Sequence, residues 1–230
     1  FGKTWSNVDK SKHLFGVDIS SYQSPVSWSK LSKQGIKYVI CRAIGSSHGT
    51  WNGTTFVDGE GKLNMDSSLF SYVTNARARN IPVGTYYFAT PLLDMSDNGS
   101  FTSAVQQATH YADILEAVFG KFQFGDIYPF VDFENYNDAQ TKLTSDYAVG
   151  WIKKFKEVFE ARIPTRLGLY TGYYFVQALN DFNDDPVITK MPLWIANYTY
   201  RDNPYENKMI QVGQWEVWIM WQYGDNVINP

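Results

Sequence analysis

The chain has 230 residues with 44% hydrophobic content, enough for one large domain with a well-buried core. A formal charge of −3 without basic blocks leaves no electrostatic footprint for nucleic acid or an anionic membrane surface. The single cysteine, Cys41, rules out an internal disulfide, and no apolar run reaches the roughly 18 residues of a membrane-inserted helix.

In chain order, residues 1–13 read as an N-terminal extension, and Phe1 to Ser6 lack both the charged and the apolar region of an export signal, which would then precede this numbering. Residues 14–230 read as a single domain. Leu14 to Ile19 is a short strand, Trp28 to Gln34 a helix closing at Gly35, and Ile36 to Cys41 a second strand that buries the thiol. Gly45 to Gly61 is too rich in Gly, Ser, Thr and Asn to be core and reads as a loop or hairpin. Asp66 is placed to cap a helix running to about Arg79, with Leu69, Phe70, Val73 and Ala76 at helical spacing. Strand and helix then alternate: a strand at Ile81 to Ala89, a helix from Ser103 to Phe119 with Val105, Ala108, Ala112, Leu115 and Val118 on one side, and a strand at Ile127 to Asp132. A helix from Thr144 to Ala161, a strand at Arg166 to Tyr170, a helix at Gly172 to Asn180 and strands at Leu193 to Ala196 and Trp215 to Gln222 complete the series.

Short apolar strands alternating with helices indicate parallel pairing through crossover helices. The fold expected is an α/β, irregular (β/α) barrel, TIM-barrel-like, with a helix-poor C-terminal third. A doubly wound open sheet is the alternative, but no Gly-x-Gly-x-x-Gly turn follows any strand.

The chemistry concentrates in Pro129-Phe130-Val131-Asp132-Phe133-Glu134. Side chains at i and i+2 of a strand share a face, so Asp132 and Glu134 point together from the end of an apolar segment, with α-carbons about 6.5–7 Å apart. That spacing suits the paired carboxylates of glycosidases. Two acids in a partly desolvated cavity do not both ionise easily, and Glu134, with the longer reach, is assigned as the one that keeps its proton. An exposed strand end with two solvated acids is the plain alternative. Asp18 also ends an apolar strand and could join the pair, or cap the turn that follows. His13, His48 and His110 have no Cys or acidic partner at ligand spacing, so no metal is expected, and no Gly-x-Ser-x-Gly elbow is present. His110 reads as a surface or half-buried helix residue. Aromatic residues make up 17% of the chain, and the flat, polar-edged rings of Trp and Tyr lend slight support to a sugar ligand.

An ordered set of landmarks runs from Phe15 to Tyr223: Gly16-Val17-Asp18-Ile19-Ser20 with Tyr22-Gln23, Gly84-Thr85-Tyr86-Tyr87-Phe88, the Asp132 segment, Leu169-Tyr170-Thr171-Gly172, Leu193-Trp194-Ile195-Ala196-Asn197-Tyr198 and Trp221-Gln222-Tyr223. In that order they resemble the family 25 glycoside hydrolases, the Chalaropsis-type lysozymes. The resemblance implies a muramidase that cuts the β-1,4 bond between N-acetylmuramic acid and N-acetylglucosamine, with no cofactor. It further implies peptidoglycan glycan strands as partner, an extracellular place of action on the bacterial wall, and additional wall-binding domains in a longer parent chain. Carried over by position, Glu134 is the general acid and then base, Asp132 orients the 2-acetamido group, and Asp18 is a supporting acid. Tyr87, Tyr170, Trp194, Tyr198 and Trp221 shape the groove.

The chain departs from this pattern twice. Arg42-Ala43-Ile44-Gly45 stands where many members carry Glu, a change expected to act on binding more than on catalysis. The family's further Asp beyond the Trp-Gln-Tyr strand is not reached by Pro230; Asp225 is too near Tyr223 to replace it, and Asp9 is the substitute considered. That missing acid is the argument for a competing reading, a wall-binding module without activity. A chitinase-like hydrolase is the other, although no Asp-x-x-Asp-x-Asp-x-Glu run occurs.

Overall fold

The computed structural model describes residues 13–91, 99–134, 143–198 and 212–224. Seven apolar segments become the strands of one sheet: β1 (Gly16–Ile19), β2 (Tyr38–Arg42), β5 (Val83–Phe88), β6 (Phe130–Asp132), β7 (Gly168–Gly172), β8 (Leu193–Ala196) and β9 (Met220–Gln222). They lie in the order β1-β2-β5-β6-β7-β8-β9, each pair parallel. Every strand adds to the same edge, with none of the reversal that makes a doubly wound sheet. The sheet curls so far that Gln222 Nε2 on β9 donates to Asp18 Oδ2 on β1 at 2.9 Å, although these edge strands share no backbone ladder among the described residues. This is an irregular α/β barrel with a seam between its first and last strands. The glycine-rich excursion holds a two-stranded antiparallel hairpin, β3 (Thr50–Trp51) and β4 (Phe56–Val57).

Helices cover the outer face. In α3 (Thr102–Phe119) the buried residues include Ala104, Ala108, Tyr111, Ala112 and Leu115, and the helix stops at Gly120, whose φ of 104° few other residues adopt. The α4 helix (Ser145–Arg162) starts where the Thr144 side chain accepts from Tyr147 N–H at 3.2 Å, and it buries Ala148, Trp151, Ile152, Phe155 and Phe159 at helical spacing. The large aromatic side chains of α4 contribute on the order of 1.5–3 kcal/mol each by leaving water. Two helix faces differ from expectation by about one residue of phase. In α2 (Leu69–Arg77) Tyr72 turns inward and Phe70 is exposed, and in α3 Val105 is exposed while Tyr111 is buried. Between β8 and β9 the described residues contain no helix, and a short α5 (Tyr173–Ala178) with a 3-10 turn follows β7. The remaining helix, α1, spans Trp28–Lys33.

Register divides the strand side chains into two sets. Parallel pairing aligns Phe88 with Asp132, Asp132 with Tyr170, Tyr170 with Trp194 and Trp194 with Met220. These even-numbered residues face the barrel interior, where Ile40, Phe130, Tyr170 and Trp194 form a small core of their own. Odd-numbered neighbours such as Val39, Tyr87, Val131, Leu169 and Ile195 face the helices and join the main core. Gly168, opposite Phe130, leaves the space that the Phe130 ring fills.

Candidate active site

Asp18 and Asp132 are inward residues at or near the carboxyl ends of β1 and β6, and Glu134 lies two residues beyond Asp132, just past the strand. The three carboxyl groups are close enough that the Glu134 and Asp18 charges act on Asp132 and the Asp18 charge acts on Glu134. Asp132 is 3% exposed and Glu134 is partly open, so the pair grades from floor to mouth. Burial, and next the charges of Glu134 and Asp18, push the Asp132 carboxyl well above the usual range. Burial and the Asp18 charge push Glu134 up to about 7. Asp18 is raised by burial, with the Gln222 amide acting against that rise. Near neutral pH the cluster therefore retains protons, and Glu134 is poised to exchange one. Asp132 Oδ1 is sealed and has no hydrogen-bond partner among the described residues, an unmet bonding capacity at the base of the site.

Aromatic side chains build the walls and floor. Tyr170 is buried with its hydroxyl donating to Gln222 Oε1 at 2.7 Å, and the half-exposed Tyr198 donates to the same oxygen at 2.6 Å. Trp194 packs edge-on against Tyr170, Phe130 and Tyr86. At 5% exposure it supports the floor instead of offering an open face to a sugar. Tyr86, which the motif reading passed over, faces the acids, since the Asp18 and Asp132 charges raise its phenol further after burial has done so.

Two expected groove residues stand in the outward register of their strands. Tyr87 is fully buried on the outer face under α3, its hydroxyl 3.0 Å from His110 Nδ1. Register explains the correction: Phe88, not Tyr87, pairs with Asp132, so the strand's even residues share the acids' face. Trp221 pairs with outward-facing Ile195 and packs against the main core, its indole donating to the Asn197 carbonyl at 3.0 Å. It nonetheless lines the seam cavity that Asp18 also lines, so it stays beside the site although its register is outward. Tyr87→Phe is accordingly expected to leave hydrolytic activity within about twofold while costing roughly 1 kcal/mol in urea unfolding, the worth of one buried hydrogen bond. A loss of activity beyond the folded fraction would contradict this placement.

His110, expected at or near the surface, is instead fully buried, with Phe56 of the hairpin and Tyr87 against its ring. Burial lowers it to about 3 and His48 to about 4, so both are neutral structural groups. Cys41 is buried and its thiol is pushed upward by that burial. Asp18 does not cap the turn after β1; Ser20 does. Asp9 and Asp225 lie outside the described residues.

Arg42, at the end of β2, is neutralised by Asp66, whose Oδ2 receives Nε at 3.0 Å and Nη2 at 2.8 Å. The same oxygen accepts from Ser21 N–H at 3.0 Å, while Oδ1 accepts from Ser68 N–H at 2.9 Å just before α2. The exposed Tyr22 ring covers the guanidinium at 4.7 Å. The Arg-Ala turn thus pins the loop after β1 to α2 and holds the exposed Tyr22 ring over the guanidinium. A cavity of about 130 Å³ opens along the seam next to Asp18, lined among others by Gln23, Tyr38, Trp194 and Gln222; Asp132 and Glu134 lie outside its lining. Among the described residues no group of three or more His, Cys, Asp or Glu is arranged to hold a metal ion, and no helix is long and apolar enough to cross a membrane.

Comparison with known proteins agrees with this fold. The sequence profile of Glycosyl hydrolases family 25 matches residues 17–230. The crystal structure of the Clostridium perfringens spore cortex lytic enzyme SleM superposes with a TM-score of 0.72 at 33% identity, covering 92% of this chain and 62% of that one. The chain therefore spans under two thirds of SleM's length. A muramidase from Trichobolus zukalii (TM-score 0.65, 22% identity, 93% of this chain and 88% of that one) and a lysozyme from Streptomyces coelicolor (0.64, 20%, 92% and 84%) share the fold. A search of curated protein sequences finds no match.

Proposed function

Starting from the premise that the chain belongs to glycosyl hydrolase family 25, we propose that it is a muramidase acting on peptidoglycan glycan strands, with Glu134 as proton donor and Asp132 as the group that orients the substrate's acetamido arm. The observation that carries the reading is the cluster of Asp18, Asp132 and Glu134 at the carboxyl end of parallel strands, where β/α barrels place their chemistry. The relatives' names favour peptidoglycan over chitin as substrate.

The steps follow from where each proton sits. Protonated Glu134 gives its proton to the glycosidic oxygen as the bond from that oxygen to the anomeric carbon breaks. The acetamido carbonyl oxygen of the same sugar attacks the anomeric carbon, and its electron pair closes a five-membered ring. As the sugar seats, Asp132 gives its proton to solvent, to regain it when product leaves, and its carboxylate accepts the acetamido N–H, a donor that Oδ1 lacks among the described residues; the anion steadies the positive charge developing on the ring. Glu134, now ionised, takes a proton from water as that water opens the ring. Both acids return to their starting states and configuration is retained.

Because the first step needs the proton on Glu134, activity is expected to fall as pH rises through about 7, roughly tenfold per unit beyond it. A kcat/KM profile that stays flat to pH 9 would remove Glu134 from the role of acid. The assignment of the bond is tested by mass spectrometry of muropeptides released from purified walls. New reducing ends on N-acetylmuramic acid are the result expected. Ends on N-acetylglucosamine, or free peptides, would overturn it, and wall binding without any new ends would return the chain to a recognition role.

A further inference from the structure

One amide joins the two edges of the curled sheet at the site. Gln222 Oε1 accepts the hydroxyls of Tyr170 at 2.7 Å and Tyr198 at 2.6 Å, and Gln222 Nε2 donates to Asp18 Oδ2 at 2.9 Å. A primary amide can turn over and exchange its donor and acceptor. Here the Asp18 carboxylate, which only accepts, takes the N–H side, and the two phenol hydroxyls, turned as donors, hold the carbonyl side. The reversed amide would set Oε1 against Asp18, an arrangement tolerable only once Asp18 carries a proton. A donor fixed on a carboxylate favours its ionised form.

We propose that Gln222 is a positioning residue for hydrolysis: locked by Tyr170 and Tyr198, its amide holds Asp18 as an anion, and that fixed charge keeps the proton on Glu134 until it is needed. The inference rests on the role of Glu134 proposed above. Among the described residues the titratable groups facing Asp18 are Tyr38 on β2, Tyr86 on β5, Asp132 on β6, Glu134 just past it, and Tyr170 on β7. All are acids or phenols. Among the described residues the nearby cation, Arg42, is already paired with Asp66, and Gln222 is the side chain that favours the Asp18 anion.

The chain of effects has a definite sign. Without the amide, Asp18 takes up a proton at higher pH; with that charge gone, Glu134 ionises more readily and the basic limb of activity moves to lower pH. Gln222→Met keeps the side-chain volume and deletes the amide. It is expected to lower kcat roughly tenfold, as for one hydrogen bond to a charged group, to leave KM within about twofold, and to shift the basic limb down by about half a unit or more. The double variant Tyr170→Phe with Tyr198→Phe keeps the amide but unlocks it, and should shift the limb in the same direction; it decides the matter if Gln222→Met does not fold. Limbs that superimpose on the wild type, or a loss confined to KM, would overturn the proposal. Carbon-13 titration of the Asp18 carboxyl separates this failure from that of the muramidase reading. Should the wild type release no sugar ends, the enzymatic role fails, yet an Asp18 titration unchanged in the variants would still reject the amide's role.

Discussion

Glu134→Gln is expected to reduce release of reducing sugar from purified peptidoglycan by about 10²- to 10⁴-fold, the range that a positioned proton donor supplies. The substitution keeps the shape of the side chain and removes the titrating group, so the loss belongs to kcat and KM should change little. Stability should move the other way. Burial and the Asp18 charge raise Glu134 to about 7 in the folded chain. A raised carboxyl favours the folded state while protonated; that contribution is whole below the ordinary carboxylate range and disappears as pH rises through 7. A neutral amide escapes this loss. Above pH 7 the variant should therefore melt higher than the wild type, by about 2–4 °C for each kcal/mol regained in a chain of this size, and the difference should shrink at pH 4. A variant equally active on cell walls, or one that melts lower at every pH, would show that Glu134 is an ordinary surface carboxylate.

The parts of this site that could be read from sequence are those fixed within a single strand. Asp18 and Asp132 close apolar runs, and alternation alone puts Glu134 near Asp132. The alternation of strands and helices called for a parallel sheet, and the strand order shows a barrel whose strands add in sequence. Relations between strands were not legible. Tyr86 and Tyr87 are adjacent and chemically identical, and which one faces the acids depends on the register that pairs Phe88 with Asp132. A shift of one residue exchanges the two faces. The same ambiguity covers Trp221, which has the outward register yet lines the seam cavity, while its neighbour Gln222 carries the inward contacts.

Polar residues conceal their distant partners as well. Asp66 was expected as a helix cap, and its Oδ1 does take the Ser68 N–H before α2, but its other oxygen serves Arg42 and Ser21, partners 24 and 45 residues away. His110 had no sequence neighbour to betray burial, because Tyr87 and Phe56 reach it from separate elements. A signal for Gln222 was present in Trp221-Gln222-Tyr223, since an amide at an inward strand position needs partners for both its ends. Only the curling of the sheet, which brings β9 to β1, identifies those partners.

Asp132→Asn makes the sharpest division between activity and stability. The folded chain buries this carboxyl to 3% exposure, gives Oδ1 no partner among the described residues, and surrounds it with the charges of Glu134 and Asp18. Each circumstance opposes ionisation, so at neutral pH the site stores an unfavourable charge or holds a proton that the unfolded chain would release. The raised titration stabilises the fold below the ordinary carboxylate range and withdraws that stability as pH climbs. Asparagine removes the linkage, and thermal unfolding should be displaced upward at pH 7–8 and little changed at pH 4. Activity should fall by about 10²- to 10³-fold, as when one preorganised electrostatic partner of a developing charge is lost, because an amide cannot become the anion that the ring intermediate requires. Combined with Glu134→Gln the losses should be far from additive, the two residues acting within one step. If Asp132→Asn instead lowered stability at neutral pH while activity survived, the buried carboxyl would be a structural anchor, and the acetamido arm would have to be oriented from elsewhere in the barrel.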